Sequence, residues 1–537
     1  MSWLSYCYKT YQNSVSEIGK QQPGKVPLLP VAHTTQQVNI EVELDKDGNF
    51  QYAGLLAQDQ RTTIIPCTEE SSARTSGMVP HPLVDKLQYI AADYPTFGGS
   101  KESGWPLYHK QLQAWCTSPY AHPAVCTVLH YLEKECLIAD LVKANILFID
   151  ENGTLPTKWQ GNKEDKPPIL DTLTGSDQTE SFVRFRVDNV DLSRDTTVRE
   201  SFICFYETQL KDIDYCTVQG IKMPVSTLSP YKIRNPGDRA KLISSNDNTN
   251  YTYRGRFADA AQALSIGYET TQKAHSALRW LVSKQGVNTG DQTVLVWGTQ
   301  NEAVPNVLGD TLDIAQEYNP LAGDDWDDFE EDTERLPADT QEEIARQFNR
   351  AILGYQHQLK DNSQTAVMIL DSATPGRLSI RYYQELQGSK LLANIKDWHD
   401  TFQWQLEYRS VEEPTELGKK PKIKKVVFVG APAPADIAKA AYGEKVDAKL
   451  KQATIERLIP CITNGERFPR DLMISAVDRA TNSIGLDYWE QQKTQNIACA
   501  LVRGYYHRNK KVDYPMNVDE TIKDRNYLFG RILACAE

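Results

Sequence analysis

The 537-residue sequence predicts an α+β protein. Three observations carry this reading. Segments of period two, bounded by turn-forming residues, recur in the first part of the chain. Segments of helical period are interspersed with them, and from Pro434 onward the apolar spacing is almost wholly helical. The expected layout is a mixed N-terminal region of β-hairpins and helices over residues 1–335. A smaller α/β part and a mainly helical end then occupy residues 336–537.

Taken in order, residues 3–18 have a loose helical period. Residues 38–44 and 49–55 alternate about Asp45-Lys-Asp-Gly48, the pattern of a hairpin. Residues 106–116 and 123–143 read as helices, the second with Val125, Val128, Leu129, Leu132 and Leu137 on one face. Ser181–Val187 alternates as a half-buried strand. A long helix is expected from Asp259 to Lys284, leaving through Gly290 into the strand Thr293–Trp297. Residues 324–334 carry eight acids and no base, which reads as a solvated linker and places the domain boundary there. Beyond it come a helix (341–359), two strands (366–370 and 377–383), a helix (389–402) and the strand 426–429. The last helix, 522–537, stops without a cap or polar tail, so the natural chain is expected to continue.

No stretch has the apolar length to span a bilayer, and the first ten residues lack the charged-then-apolar order of a signal peptide, so a cytoplasmic protein is expected. The ten cysteines include no C-x-x-C pair, and several, Cys204 and Cys499 among them, sit between apolar neighbours, as reduced buried thiols do. A net charge of −12 argues against wholesale coating of nucleic acid but leaves room for a local groove.

That groove has a candidate. Between Tyr231 and Arg256 stand six cations (Lys232, Arg234, Arg239, Lys241, Arg254, Arg256) and two acids (Asp238, Asp247), inverting the sign of the whole. Asn246, Asn248 and Asn250 add paired donors and acceptors, Ser244 and Ser245 add hydroxyls, and Tyr251 and Tyr253 can stack on unpaired bases. The competing reading is a solvated loop cross-linked by its own ion pairs. A second candidate is Arg74-Thr75-Ser76-Gly77, followed by His81. Gly77 suits a tight turn, an arginine fork can read guanine O6 and N7, and short hydroxyls serve base or phosphate. The competing reading here is an ordinary connecting turn. The basic run Lys419, Lys420, Lys422, Lys424 and Lys425 reads first as a lysine-protected strand edge and second as a backbone contact.

Catalytic patterns are missing. Phe97–Gly104 has the glycines of a phosphate loop at the wrong spacing. The nine histidines form no metal-binding pair in sequence, and the dense acids at 324–334 lack a periodicity that would fix them. No catalytic residue, metal or cofactor is expected.

At these residues the chain resembles the large subunit of the type I-C CRISPR effector complex, the Csd-type Cascade protein. The matching pieces are Arg74-Thr-Ser-Gly77 with Pro80 and Asp85-Lys86, Asp238–Asn246, Tyr253-Arg-Gly-Arg-Phe257, Tyr268–His275, Asp371–Ser379 and Ala431–Ala438. The resemblance implies a non-catalytic subunit of an RNA-guided complex. Its partners would be backbone subunits, a subunit that processes the CRISPR RNA, small subunits, target duplex DNA and a helicase-nuclease recruited in trans. Base pairing with the guide reads the target, while the protein reads the short adjacent motif, helps open the duplex and stabilises the R-loop. Carried over, Arg74, Thr75, Ser76, Gly77 and His81 would form or flank the motif-reading loop. Arg234, Arg239, Lys241, Ser244, Ser245, Asn246, Tyr253, Arg254 and Arg256 would contact nucleic acid or neighbouring subunits. The family often has asparagine in place of His81 and a basic residue in place of Ala73. Two other classes stay open: a metal-dependent nuclease, and a scaffold whose basic loops bind acidic proteins.

Overall fold

The computed structural model describes the chain except residues 1, 75–76, 100, 157–158, 160–165, 174, 176, 236, 244–256, 258–259, 318–339, 360–362, 375, 413–421, 483 and 537. The chain divides into two compact units: residues 1–285 with 372–379, and residues 286–371 with 380–537.

The first unit opens with α1 (Trp3–Asn13), capped by the Ser2 hydroxyl. Strands β1 (His33–Gln37), β2 (Ile40–Leu44), β3 (Phe50–Leu55) and β4 (Thr62–Pro66) follow. β2 alternates buried Ile40, Val42 and Leu44 with half-exposed Glu41 and Glu43, as period two requires of a strand with one face on the core. The β2–β3 turn is closed by the Asp45 carboxylate, which accepts from the backbone N–H groups of Asp47 (2.9 Å) and Asn49 (2.8 Å), while Gly48 takes φ +73°. Next are α2 (Glu69–Ser72), β5 (Asp85–Lys86), α3 (Leu87–Ile90), α4 (Trp105–Cys116), α5 (Pro123–Leu132), α6 (Leu137–Lys143) and α7 (Ile169–Thr172). The helix expected over 123–143 is broken at Glu135, which takes φ +53°.

β6 (Phe182–Val187) and β7 (Val190–Asp191) complete a mixed five-stranded sheet. Its order is β3-β2-β6-β5 with β7 on β6, and the β2/β6 pair is parallel. α8 (Thr196–Glu207), the ribbon β8 (Ile213–Tyr215) with β9 (Lys222–Pro224), α9 (Ala260–Ala263) and α10 (Tyr268–Gln285) end the unit's main run. α10 packs along α1. The sequence placed this helix from residue 259. The observed start is later because the carbonyls of Ser265 and Ile266 accept instead from Thr217 and Ser226, both at 2.9 Å, which holds 265–267 extended.

The second unit is built on the sheet β10 (Val287–Thr289), β11 (Gln292–Gly298), β12 (Gln364–Thr374) and β13 (Arg377–Gln387), in that order. β11 is buried along its whole length, as a central strand must be. The break therefore falls before β10 and not at 335: β11 pairs with β12, so β10 and β11 belong to the second unit. α11 (Thr311–Glu317), α12 (Thr340–Gln358), α13 (Gly388–Thr401), the ribbon β14 (Trp404–Glu412) with β15 (Lys422–Gly430), and α14 (Pro434–Tyr442), α15 (Ala448–Thr463), α16 (Arg470–Thr481), α17 (Tyr488–Tyr505) and α18 (Arg525–Ala536) make up the rest. Trp398, Phe402, Phe428, Phe468 and Leu501 lie in its core. The fold is α+β, with helices dominating the C-terminal end, as the sequence predicts.

Cys7, Cys67, Cys216 and Cys461 are buried free thiols, but Cys204 and Cys499 are exposed: flanking apolar residues on a helix point to other faces. Among the described residues no helix is long and apolar enough to cross a membrane.

Candidate nucleic-acid interface

The Arg74 turn is built between α2 and β5. Thr68 caps α2 through a reciprocal pair with Ser71, and the chain leaves the helix at Ala73. The Arg74 guanidinium then reaches across the turn to Asp85, donating to its two carboxylate oxygens at 2.8 and 3.0 Å and to the Val79 carbonyl at 2.8 Å. It also lies 4.6 Å from the centre of the Tyr89 ring. Asp85 is fully buried and accepts two more bonds, from the backbone N–H of His81 (2.7 Å) and of Lys86 (2.8 Å). One bidentate pair therefore joins Arg74 to Asp85 across the turn.

His81 is also interior. It is 2% exposed, its Nδ1 lies 3.0 Å from Ser71 Oγ, and its Nε2 lies 3.3 Å from Gln36 Nε2. Burial pushes its pKa down to about 4, so the ring is neutral near pH 7. The half-buried Arg74 guanidinium is thus engaged by Asp85 and the Val79 carbonyl, and the His81 ring is buried. Gly77 is exposed, takes φ +87°, and has no atom within 4 Å of where a Cβ would stand. Thr75 and Ser76 lie outside the described residues. Beside the turn, Lys86 and Lys101 both pair with Glu180, which also ties them internally.

The second stretch begins at the first one. Glu69, 6% exposed at the start of α2, accepts from the Ser226 hydroxyl, the Thr227 hydroxyl (3.0 Å) and the Leu228 N–H (2.8 Å). Its own N–H donates to Tyr206 Oη at 2.9 Å. The basic loop is therefore launched from the helix that also launches the Arg74 turn. Within it, Arg234 Nε donates to Asp238 at 2.8 Å, and Asp238 also accepts from the Ala240 N–H at 3.0 Å. The Lys232 N–H donates to the Asp238 carbonyl at 2.8 Å, with Lys232 at φ +64°. Lys241 pairs through its backbone with the turn at 376–378, which belongs to the same unit. Ser244, Ser245, Asn246, Tyr253, Arg254 and Arg256 lie outside the described residues.

Electrostatics links the two stretches again. The charge of Arg74 acts on Tyr231, and that of Lys232 acts on His81. Arg239 and Arg279, the latter on α10, both disfavour charge on Lys232. Arg279 belongs to neither stretch and was missed in the sequence, where a lone arginine in a helix carries no signal. The lysine run falls elsewhere: Lys422, Lys424 and Lys425 lie on β15, opposite Glu412, Ser410 and Arg409 of β14, in the second unit, and Lys419 and Lys420 lie outside the described residues. Among the described residues no group of three His, Cys, Asp or Glu could hold a metal ion.

The family model for CRISPR-associated protein (Cas_Csd1) matches residues 7–537. The chain belongs to that family. No curated protein matches the sequence. Two carboxylates that the sequence reading did not choose as site residues, Asp85 and Glu69, anchor the two stretches. Asp85 was legible only inside the motif shared with the family. Glu69 sits in a polar loop where nothing marks it as buried.

Proposed function

We propose that this Csd1-family chain is the non-catalytic large subunit of a CRISPR RNA-guided surveillance complex, reading the motif beside the target on duplex DNA. The observation that supports this most is the shared anchor. Glu69 holds residues 226–228, which lead into the basic loop, against the helix that leads into the Arg74 turn, so two stretches chosen separately for nucleic-acid chemistry leave from one helix. In this reading Arg74 and His81 shape the turn. Thr75, Ser76 and the backbone at Gly77 meet the base edges, and the cations of 232–256 hold phosphates. Opening the duplex, stabilising the R-loop and recruiting a separate helicase-nuclease follow from that position, with guide pairing reading the rest of the target.

The test is selection of target duplexes with randomised flanking bases by the assembled complex. The parent enriches a short flanking motif. Thr75→Ala/Ser76→Ala assembles equally well and loses the enrichment by about tenfold or more, the scale of one or two lost base contacts. An unchanged motif in that variant overturns the reading.

A further inference from the structure

The first unit holds a cavity of about 1080 Å³, at the upper end of the range for small-ligand pockets. α8 lines it with Thr196, Arg199, Ile203 and Tyr206, whose spacings of three and four put them on one helix face. Tyr11 of α1, Pro30 to Ala32, Tyr268 of α10 and Ile221 to Pro224 at β9 supply the other sides. The cavity opens to solvent, since two apolar residues that line it, Val15 and Ile221, are 61% and 53% exposed. The apolar surface continues along the ribbon. Ile213 stands opposite Pro224 and Tyr215 opposite Lys222, so each pair shares a face, and both Ile213 and Tyr215 are exposed. Large apolar side chains gathered in this way at a cleft mark an interaction site, whereas scattered ones do not.

The chemistry of the lining says what fits. Most of it is apolar or aromatic. Tyr268 is 3% exposed, and its hydroxyl is buried without a hydrogen-bond partner. Burial raises the pKa of this phenol, so it is a proton donor that lacks an acceptor. The charges at the edge sort by partner. Lys273 pairs with Glu269, Arg199 has the charges of Asp191 and Asp195 beside it, and Lys222 lies 5.2 Å from the centre of the Tyr215 ring. Glu200 and Glu207, exposed on α8, make no side-chain ion pair or hydrogen bond among the described residues. Two free carboxylates repel a phosphate backbone and hold lysine or arginine.

We propose that this cavity docks a segment of a partner protein, with apolar side chains entering between α8, α10 and β9 and basic residues opposite Glu200 and Glu207. A carbonyl of that segment is the acceptor that the Tyr268 hydroxyl lacks. The proposal does not rest on the functional reading above.

Its test is selection of short random displayed peptides on the free full chain. The parent enriches peptides that place large apolar residues beside Lys or Arg. A synthesised winner, followed by fluorescence anisotropy, loses affinity by about tenfold or more on Val15→Glu/Ile221→Glu, which puts charge at exposed positions of the lining and leaves the core intact. Glu200→Lys/Glu207→Lys weakens it by about three- to tenfold, and added salt shrinks that loss. Tyr268→Phe weakens it by about fivefold, the scale of one neutral hydrogen bond, and does not lower the melting temperature. No enrichment, acidic winners, or an affinity that survives Val15→Glu/Ile221→Glu overturns the proposal. An unchanged affinity in Tyr268→Phe overturns the carbonyl contact. A labelled single strand of DNA that displaces the peptide, and is itself weakened by Val15→Glu/Ile221→Glu, overturns the proposal in favour of a nucleic-acid site.

Discussion

Arg74 and Arg279 are both little-exposed arginines of the first unit, and they differ in one respect. Arg74 meets a fully buried carboxylate with both terminal nitrogens, whereas Arg279 meets none among the described residues. The paired arginine builds shape: it joins Asp85 across the turn, and the exposed Gly77 within that turn remains free to approach a ligand. A cation in a sequence therefore announces a binding site only once its acids are accounted for, and here the more obvious arginine is the one already satisfied.

The largest effect that can break this contrast is at Asp85. Asp85→Ala strands the Arg74 guanidinium and two backbone N–H groups, so the free chain loses about 3–5 kcal/mol by urea denaturation. Arg74→Met/Asp85→Ala costs less than the sum of the two single changes. Additivity in that cycle would show that the fork does not couple the two residues.

A smaller effect concerns pH. His81 has a folded pKa near 4, below the unfolded value, so the unfolded chain takes up a proton that the folded chain refuses. Its contribution is complete above about pH 6.5, is lost as pH falls, and levels off near pH 4. His33, His275 and His399 are depressed in the same direction by burial. His81→Asn removes one such proton and flattens the stability profile between pH 6.5 and 5 by about 2 kcal/mol. An unaltered profile would mean that His81 is already solvated in the folded turn.

Much of the fold was legible because periodicity reports which side faces the core. Ile40, Val42 and Leu44 alternate as read, and Val125, Val128, Leu129 and Leu132 are buried on one helix face. Non-local pairing was not legible. The late start of α10 depends on carbonyls captured by Thr217, far back in the chain, and by the nearer Ser226, and the unit break depends on β11 finding β12. At the candidate interface, composition revealed the inverted charge of residues 231–256. It did not reveal partners: that Arg74 belongs to Asp85, that Glu69 belongs to residues 226–228, or that a helix supplies Arg279. Those facts arise from tertiary contacts that no local spacing encodes.

The most direct test of the central contrast is urea denaturation of Arg74→Met and Arg279→Met, each in the free full chain. The paired arginine should be needed and the unpaired one dispensable. Arg74→Met lowers the midpoint by the equivalent of about 3–5 kcal/mol, because Asp85 is left charged and buried, while Arg279→Met leaves it unchanged or raises it. Equal losses in the two variants would contradict the account.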